Sequence, residues 1–320
     1  MKRTLSQAKE YPQFVAKQLR EQGLAGFKTS VATPFFVLSE NISQAIDSRI
    51  QVGTPIWDAD WDVLIILDAC RVDLMRSVCD EYQFLPAPRD LEATWSIASM
   101  SKDWIERTFS SDYQNKVSST GYVTGNCFTT KSTMECEPLV LDEVWKYAWD
   151  DHLSTIPARP ITDRALDTWQ SRRPNLDRMI IHYMQPHVPF VTDPDIGDYG
   201  GPGDFGEGFA DIWHRIGDEL DREVVWEAYV RNLRYVLDDV ALLLDNLDAG
   251  SVVITADHGN AIGEWGLAGH PPGSLHPSIR CVPWIETTAS SIGSYKPETN
   301  RVDPDAQPDV ADRLSALGYT

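Results

Sequence analysis

A short apolar run, Ser251–Thr255, leads directly into the polar sequence Ala-Asp-His-Gly-Asn, and this stretch constrains the fold more than any other. Its β-branched residues predict a buried strand. Asp257 and His258 follow that strand, where a carboxylate and an imidazole are costly to bury unless they bind something charged. Asp and His are ligands of metals such as zinc and manganese. The structural alternative is that Asp257 caps a helix and His258 packs in a turn.

Further histidines stand close to predicted strand ends. His270 and His276 follow soon after His258, so three of the seven histidines in the chain lie in one short stretch. A second apolar run, Arg178–Tyr183, predicts another core strand that ends in a segment containing His182, His187 and two prolines. The prolines would fix the path of the chain after the strand. The alternative for this pair is two surface histidines without a function.

An aspartate also ends the first strong strand of the chain, which we predict at Trp61–Leu67. Asp68 precedes a predicted helix that runs to about Cys79. Open α/β sheets bind ligands at the carboxyl ends of their strands, although an aspartate in this position could simply cap the helix. Arg71 could hold an anion or could pair with Asp73.

Several hydroxyl groups precede a helix that we predict at Lys102–Phe109. A serine at a helix N-terminus lies at the positive end of the helix dipole, which suits an anion or an alkoxide. Serine and threonine are also the commonest N-cap residues, so the alternative is a structural role. The candidates are Ser99, Ser101 and Thr94. A nucleophile of the Gly-x-Ser-x-Gly type is disfavoured because that motif is absent from the sequence.

The alternation of strands and helices, with candidate ligands at the strand ends, predicts an α/β sheet flanked by helices. A long apolar-periodic pattern indicates a core helix that feeds into the strand at 251. The predicted helices, beyond those above, lie at 4–24, 141–150, 161–171, Glu223–Leu247 and Val310–Leu317, and a long loop covers 191–208.

The net charge of the chain disfavours two kinds of partner. The chain has 28 Lys and Arg against 48 Asp and Glu, a net charge of −20. Such a surface disfavours nucleic acid and anionic membranes as partners, and it is typical of proteins from a salt-rich cytoplasm.

The N-terminus lacks the apolar segment of a Sec signal and no apolar run could span a membrane, so a cytoplasmic location is expected. Five scattered cysteines without a Cys-x-x-Cys pair predict neither a disulfide framework nor a zinc knuckle.

Taken in order, these pieces resemble the alkaline phosphatase superfamily, in particular its sulfatase-like branch. The resemblance rests on the Asp68 turn, on His182–Pro189, on Thr255–Gly259 and on the later Gly269-His270. With the acidic composition, it suggests a haloarchaeal sulfatase-like protein. It implies a three-layer α/β/α fold with a mostly parallel central sheet. The implied organisation is an N-terminal helical extension over 1–58 and a catalytic domain over 59–320.

The resemblance also implies roles for individual residues. One divalent cation (zinc, manganese, magnesium or calcium) would be held by Asp68, Asp257 and His258. A second cation, or cationic side chains in its place, would be served by His187 and His270. The nucleophile would be Ser99, with Ser101 as second and Thr94 as third choice. Substrate would be bound by Arg71, His182 and His276, the two histidines also being reserve ligands.

One departure from the family bears on the reaction. The Cys-x-Pro-Ser-Arg motif of sulfatases is absent, and Cys136-Glu-Pro-Leu139 lies after the wrong strand and lacks the arginine. A formylglycine enzyme is therefore disfavoured. The sequence predicts a metal-dependent hydrolase of phosphate or sulfate esters that acts on a small anionic ester or a glycan- or lipid-linked substrate. The alternatives are a transferase of phospho-head-groups to a glycan or lipid, and an inactive metal-binding or regulatory protein. A homodimer remains an option.

Overall fold

The computed structural model describes residues 42–50, 52–196, 212–217 and 219–298. The predicted helices at 4–24 and 310–317, and most of the predicted loop at 191–208, lie outside these ranges, and the division into 1–58 and 59–320 stays a prediction. The strands are β1 (Val63–Leu67), β2 (Glu92–Trp95), β3 (Thr120–Thr124), β4 (Val140–Glu143), β5 (Arg178–Tyr183), β6 (Ala249–Thr255), β7 (Ala261–Ile262), β8 (Ala268–Gly269) and β9 (Cys281–Ala289). The helices are α1 (42–47), α2 (Val72–Arg76), α3 (Ser101–Thr108), α4 (Gln114–Val117), α5 (Ala158–Arg172), α6 (Ile212–Arg215), α7 (Arg222–Leu244) and α8 (Pro277–Arg280).

A seven-stranded sheet in the order β2-β9-β6-β1-β5-β3-β4 forms the centre of the fold. Strand β1 pairs in parallel with β5 and β6, and β3 pairs in parallel with β5 and β4. Strand β9 runs antiparallel to β6 and β2. All five residues of β1 are buried, as expected of a parallel strand covered on both faces. The predicted mostly parallel central sheet is confirmed.

Helices cover both faces of this sheet. His182 and Tyr183 are neighbours on β5, so their side chains point to opposite faces. The ring of His182 packs edge-on against Trp104 of α3, with centroids 5.6 Å apart. The hydroxyl of Tyr183 lies 2.8 Å from that of Thr162 on α5. Helices α3 and α5 are therefore on opposite sides of the sheet, which confirms the three-layer arrangement. No helix in the described ranges combines the length and apolarity needed to cross a bilayer.

The predicted helix at 141–150 is wrong. Residues Val140–Glu143 form the edge strand β4, which pairs with β3, and a single 3₁₀ turn follows at Val144–Lys146. Asp142 accepts hydrogen bonds from Tyr147 and Arg164, which hold the strand end. Pairing with a neighbouring strand thus overrides the local helical pattern, because ladder hydrogen bonds depend on residues that are distant in sequence.

A buried ion pair attaches α1 to the elements that carry the candidate site. Asp47 is almost fully buried and accepts hydrogen bonds from Arg280 of α8 (2.9 Å) and from Arg107 of α3 (2.6 Å). Burial alone would raise the pKa of Asp47, but the two guanidinium groups outweigh it and lower that pKa. The stabilisation is therefore present above the ordinary pKa of an aspartate and is lost as the pH falls through the lowered value.

We expect Asp47→Asn to lower the free energy of unfolding by about 3–5 kcal/mol, because it leaves the fully buried Arg280 without a counter-charge. Urea unfolding at neutral pH measures the change. Asp90→Asn is the matched control, since Asp90 pairs with Arg89 on the surface and should contribute less than about 1 kcal/mol. Equal effects of the two substitutions would contradict the buried role of Asp47.

Candidate metal centre and active site

Four buried polar side chains meet at the carboxyl edge of the parallel strands. Asp68 follows β1 directly, His182 lies near the end of β5, and Asn126 and Asp257 each stand two residues beyond β3 and β6. All four are fully buried. In the sheet, His182 pairs with Ile66 on one side and with Thr124 on the other, which brings these strand ends to the same level.

Amide N–H groups hold the two carboxylates in place, from the backbone for Asp257 and from a side chain for Asp68. One oxygen of Asp257 accepts hydrogen bonds from the backbone N–H of His258 (2.9 Å) and of Ala69 (3.2 Å). One oxygen of Asp68 accepts a hydrogen bond from the amide of Asn126 (2.9 Å). Ala69 has φ 60°, a left-handed conformation that is uncommon for a residue with a side chain. Its carbonyl oxygen accepts a hydrogen bond from the hydroxyl of Tyr229, which helps to hold this turn.

The two carboxylates oppose each other electrostatically. Burial and the nearby charge of Asp257 raise the pKa of Asp68 well above its usual value. Burial also acts to raise the pKa of Asp257, but the nearby imidazoles of His258 and His182 and the hydrogen bond from Ser101 outweigh it and hold that pKa low. Two buried carboxylates that interact in this way favour the binding of a positively charged group, such as a metal ion, between them.

Ser101 is the serine that reaches the carboxylates. It is the first residue of α3, and its hydroxyl donates a hydrogen bond to Oδ2 of Asp257 (2.6 Å). The same Oγ lies 3.3 Å from Oδ2 of Asp68 and 3.3 Å from Nε2 of His258. The buried Ser101 hydroxyl therefore stands beside three candidate ligands and at the positive end of the α3 dipole.

Ser99, the first choice from the sequence, does not make these contacts. Its hydroxyl donates a hydrogen bond to the backbone oxygen of Pro271 (2.9 Å). Thr94 lies on the edge strand β2, where it pairs with Val282. The geometry therefore favours Ser101 over Ser99 and Thr94 as the hydroxyl beside the candidate ligands. The reason is that α3 begins at Ser101, one residue before the predicted start, so the end of the helix presents this side chain to the carboxylates.

His258 lies beside both carboxylates and beside His270. Its Nε2 is 3.5 Å from Oδ1 of Asp68 and 3.5 Å from Oδ2 of Asp257. The tight turn that places it depends on Gly259, because a Cβ at that position would collide with the backbone oxygen of Ser278. The structure thus brings together the three residues that the sequence predicted as ligands of one cation.

His182 joins this group, whereas the resemblance implied substrate binding for it, or in reserve the second cation. Its Nε2 lies 3.6 Å from Oδ2 of Asp257 and 3.9 Å from Oδ2 of Asp68. Ligand atoms of His182, Asp68 and Asp257 all lie within 4.8 Å of one another. The parallel register of β1 and β5 is the feature from which this position of His182 could have been predicted. The same reasoning would have found Asn126, which stands two residues beyond β3 and was not among the predicted site residues.

His187 and His270 form a neighbouring pair. Their Nε2 atoms are 3.2 Å apart, and the ring of His270 lies 4.4 Å from that of His258. Two imidazole nitrogens that share a tetrahedral zinc ion would be about 3.4 Å apart. Burial lowers the pKa of His187 to about 4 and, together with His258 and His187, lowers the pKa of His270 well below its usual value. Both rings are therefore neutral near pH 7.

Arg71 and His276 have other partners. The guanidinium of Arg71 makes two hydrogen bonds to the carboxylate of Asp73 (2.8 and 2.6 Å) and one to Glu264 (2.8 Å). These contacts match the pairing that the sequence left open as an alternative to anion binding. His276 caps the N-terminus of α8, with Nδ1 2.7 Å from the hydroxyl of Ser278.

The residues present fit a divalent cation. Oδ1 of Asp68 and Nε2 of His182 are both buried, and neither makes a hydrogen bond within the described part of the chain. Buried polar atoms of this kind are rare unless an ion or water satisfies them. Two carboxylates and an imidazole within 4.8 Å are the donor types that bind borderline divalent metals.

Comparison with known proteins gives a likeness of fold. No protein-family model and no curated protein matches the chain. Among solved structures, it is similar to the soluble domain of lipooligosaccharide phosphoethanolamine transferase A from Neisseria meningitidis (14% identity, 74% of this chain and 79% of that chain, TM-score 0.40). It is also similar to the 2-O GAG sulfatase BT1596 (12%, 81% and 70%, 0.44) and to the lipoteichoic acid synthase LtaP from Listeria monocytogenes (10%, 79% and 72%, 0.38).

These structures are members of the alkaline phosphatase superfamily, the group that the sequence motifs resemble. At such identities and TM-scores, the similarity carries no information about the activity of this chain. The chemistry has to be argued from the side chains at the strand ends.

Proposed function

We propose that the chain cleaves phosphate esters, with Ser101 as the nucleophile, and that it passes the phosphoryl group from Ser101 to water or to an acceptor alcohol. The observation that carries this proposal is the position of the Ser101 hydroxyl, 2.6 Å from Asp257 and 3.3 Å from both Asp68 and His258. A hydroxyl that only capped α3 would not need two buried carboxylates and an imidazole around it.

In the first step, Oγ of Ser101 attacks phosphorus and gives up its proton, and the bond between phosphorus and the leaving oxygen breaks. The leaving oxygen takes up one proton, so the step neither gains nor loses protons. The hydrogen bond of Ser101 directs its own proton towards Oδ2 of Asp257. Asp257 is a weak base because its pKa is held low, so it cannot activate the serine alone. A divalent cation held by Asp68, Asp257, His258 and His182 would supply positive charge that lowers the pKa of the hydroxyl and stabilises the transferred group.

In the second step, water or an alcohol attacks the phosphorus of the Ser101 ester, and Oγ leaves with the return of a proton. The dipole of α3 favours negative charge at Ser101 in both steps. His187 and His270 add nitrogen donors beside His258 but no permanent charge. We therefore expect the charge of the substrate to be balanced by one or two bound cations. The mixed oxygen and nitrogen donors favour zinc or manganese over calcium and magnesium.

Phosphate is favoured over sulfate because the position of the nucleophile holds Ser101 followed by Lys and Asp, without the proline and arginine of the sulfatase motif. Cys136, the other candidate for modification, is buried elsewhere, and its backbone N–H donates to the oxygen of Phe109. A small anionic ester, or a phosphate ester on a glycan or lipid, remains the proposed class of substrate.

The proposal predicts hydrolysis of an aryl phosphate that requires an added divalent metal and exceeds hydrolysis of an aryl sulfate. Both substrates are compared in high potassium chloride, with a chelator and then with zinc, manganese, magnesium or calcium. Faster cleavage of the sulfate would contradict the proposal. Bound metal without turnover of either ester, even with an added acceptor alcohol, would favour an inactive binding protein.

A further inference from the structure

In two of the imidazoles at the candidate centre, the hydrogen-bond partner fixes which ring nitrogen carries the hydrogen. Nδ1 of His258 lies 2.8 Å from the carbonyl oxygen of Gly259, and Nδ1 of His187 lies 2.6 Å from that of Val188. A carbonyl oxygen only accepts hydrogen bonds, so Nδ1 carries the hydrogen in both rings. In the neutral ring, Nε2 then has a free lone pair that can bind a cation.

The partner of His182 is of a different kind. Its Nδ1 lies 2.9 Å from the hydroxyl of Tyr122, and a hydroxyl can donate or accept. Both side chains are fully buried, and Trp104 packs against the edge of the imidazole. The heavy atoms of Tyr122 and His182 are therefore held in place, while the ring hydrogen of His182 can be on either nitrogen.

The two tautomers of His182 have opposite effects on the carboxylates. If Tyr122 donates to Nδ1, the hydrogen of His182 is on Nε2 and faces Asp257 and Asp68, at 3.6 and 3.9 Å. That state stabilises the negative charge of the carboxylates. If Tyr122 accepts from Nδ1, the lone pair of Nε2 faces the same oxygens. That state is unfavourable beside bare carboxylates and favourable when a cation lies between them.

We propose that Tyr122 is a positioning residue that lets His182 change tautomer when a cation binds. Without a cation, His182 donates from Nε2 towards the carboxylates; with a cation, Nε2 is a ligand and Nδ1 donates to Tyr122. One proton leaves Nε2 and one binds Nδ1, so the ring stays neutral. The inference rests on the cation site of the proposed function.

Tyr122→Phe tests this, because it removes the hydroxyl and keeps the ring that packs against Phe109. Loss of the outer partner of a ligating histidine typically weakens metal binding about 10–100-fold. We expect that loss for zinc and manganese in a titration against a competing chelator. Tyr183→Phe is the matched control: it removes a buried hydroxyl one residue from His182, but on the opposite face of the sheet, and should leave the affinity unchanged.

The second readout is the tautomer itself, followed by ¹⁵N NMR of histidine-labelled protein. In the unaltered chain, we expect the His182 signals to move from hydrogen on Nε2 to hydrogen on Nδ1 when zinc is added. The inference is overturned if Tyr122→Phe binds metal as tightly as the unaltered chain, or if the His182 tautomer does not change. The NMR result decides even if Tyr122→Phe does not fold. Neither readout requires turnover, so metal binding without phosphate cleavage would contradict only the proposed reaction.

Discussion

Ser101→Ala is expected to lower kcat for an aryl phosphate by about 10³-fold or more, since loss of an attacking nucleophile has effects of this size in other enzymes. The change removes one oxygen from a buried position and leaves Asp68, Asp257 and His258 in place. Metal affinity should therefore stay within a few-fold of the unaltered value, because the proposed ligands are retained. Steady-state kinetics with saturating metal measure the first effect, and a chelator titration measures the second.

Ser99→Ala is the matched control for this experiment. Ser99 is equally buried and lies two residues earlier, but its hydroxyl bonds to the backbone of Pro271 rather than to the carboxylates. We expect its kcat to stay within about 10-fold of the unaltered enzyme, because the lost interaction is one ordinary hydrogen bond. If Ser99→Ala were inactive and Ser101→Ala were active, the order given by the sequence would be right and the assignment made from the structure would be wrong.

Asp257→Asn is expected to have the second large effect, on cation binding. The substitution keeps an oxygen that can accept from Ala69 and His258, but it removes the charge beside Asp68. Metal affinity should fall by more than about 100-fold, which exceeds the usual effect of an outer-shell change. The stabilisation that metal gives to the unaltered chain, about 2.7 kcal/mol at a free concentration of 100 Kd, should be lost in the variant.

The same variant is also expected to lose stability without metal. Because His258, His182 and Ser101 hold the pKa of Asp257 low, its ionised form contributes stability above the ordinary pKa of an aspartate. In a chelator, Asp257→Asn should therefore unfold at a lower urea concentration than the unaltered chain. Asp239→Asn is the control: this buried carboxylate bonds to Arg159 and Thr162 away from the centre, so its loss should lower stability and leave the metal response intact. A metal response retained by Asp257→Asn would exclude Asp257 as a ligand.

The fold could be predicted from sequence where its strands are buried on both faces. Trp61–Leu67, Arg178–Tyr183 and Ser251–Thr255 are continuous apolar runs, and the structure has strands at each of them. The polar residues after them, Asp68 and Asp257, meet because parallel strands end at the same edge of a sheet. The edge strand β4 could not be predicted in this way, since its identity comes from pairing with β3.

The contacts of Ser101, Asn126 and His182 depend on register, which the apolar runs alone do not give. Helix α3 begins at Ser101, one residue before the predicted start, and its first side chain bonds to Asp257. His182 lies within its strand rather than after it, so its contact with Asp257 follows from the alignment of β5 with β1. The sequence allowed for the pairing of Arg71 with Asp73, which the structure has. It could not show that Arg71 also pairs with Glu264, which is distant in sequence.

The most direct test of the central claim is to trap the covalent ester. Protein loaded with metal is mixed with an excess of aryl phosphate, quenched in acid within milliseconds to seconds, digested and analysed by mass spectrometry. We predict phosphate on Ser101, absent from Ser101→Ala and from protein treated with a chelator. Turnover without a phosphorylated residue, or with phosphate on Ser99, would contradict the assignment of Ser101 as the nucleophile.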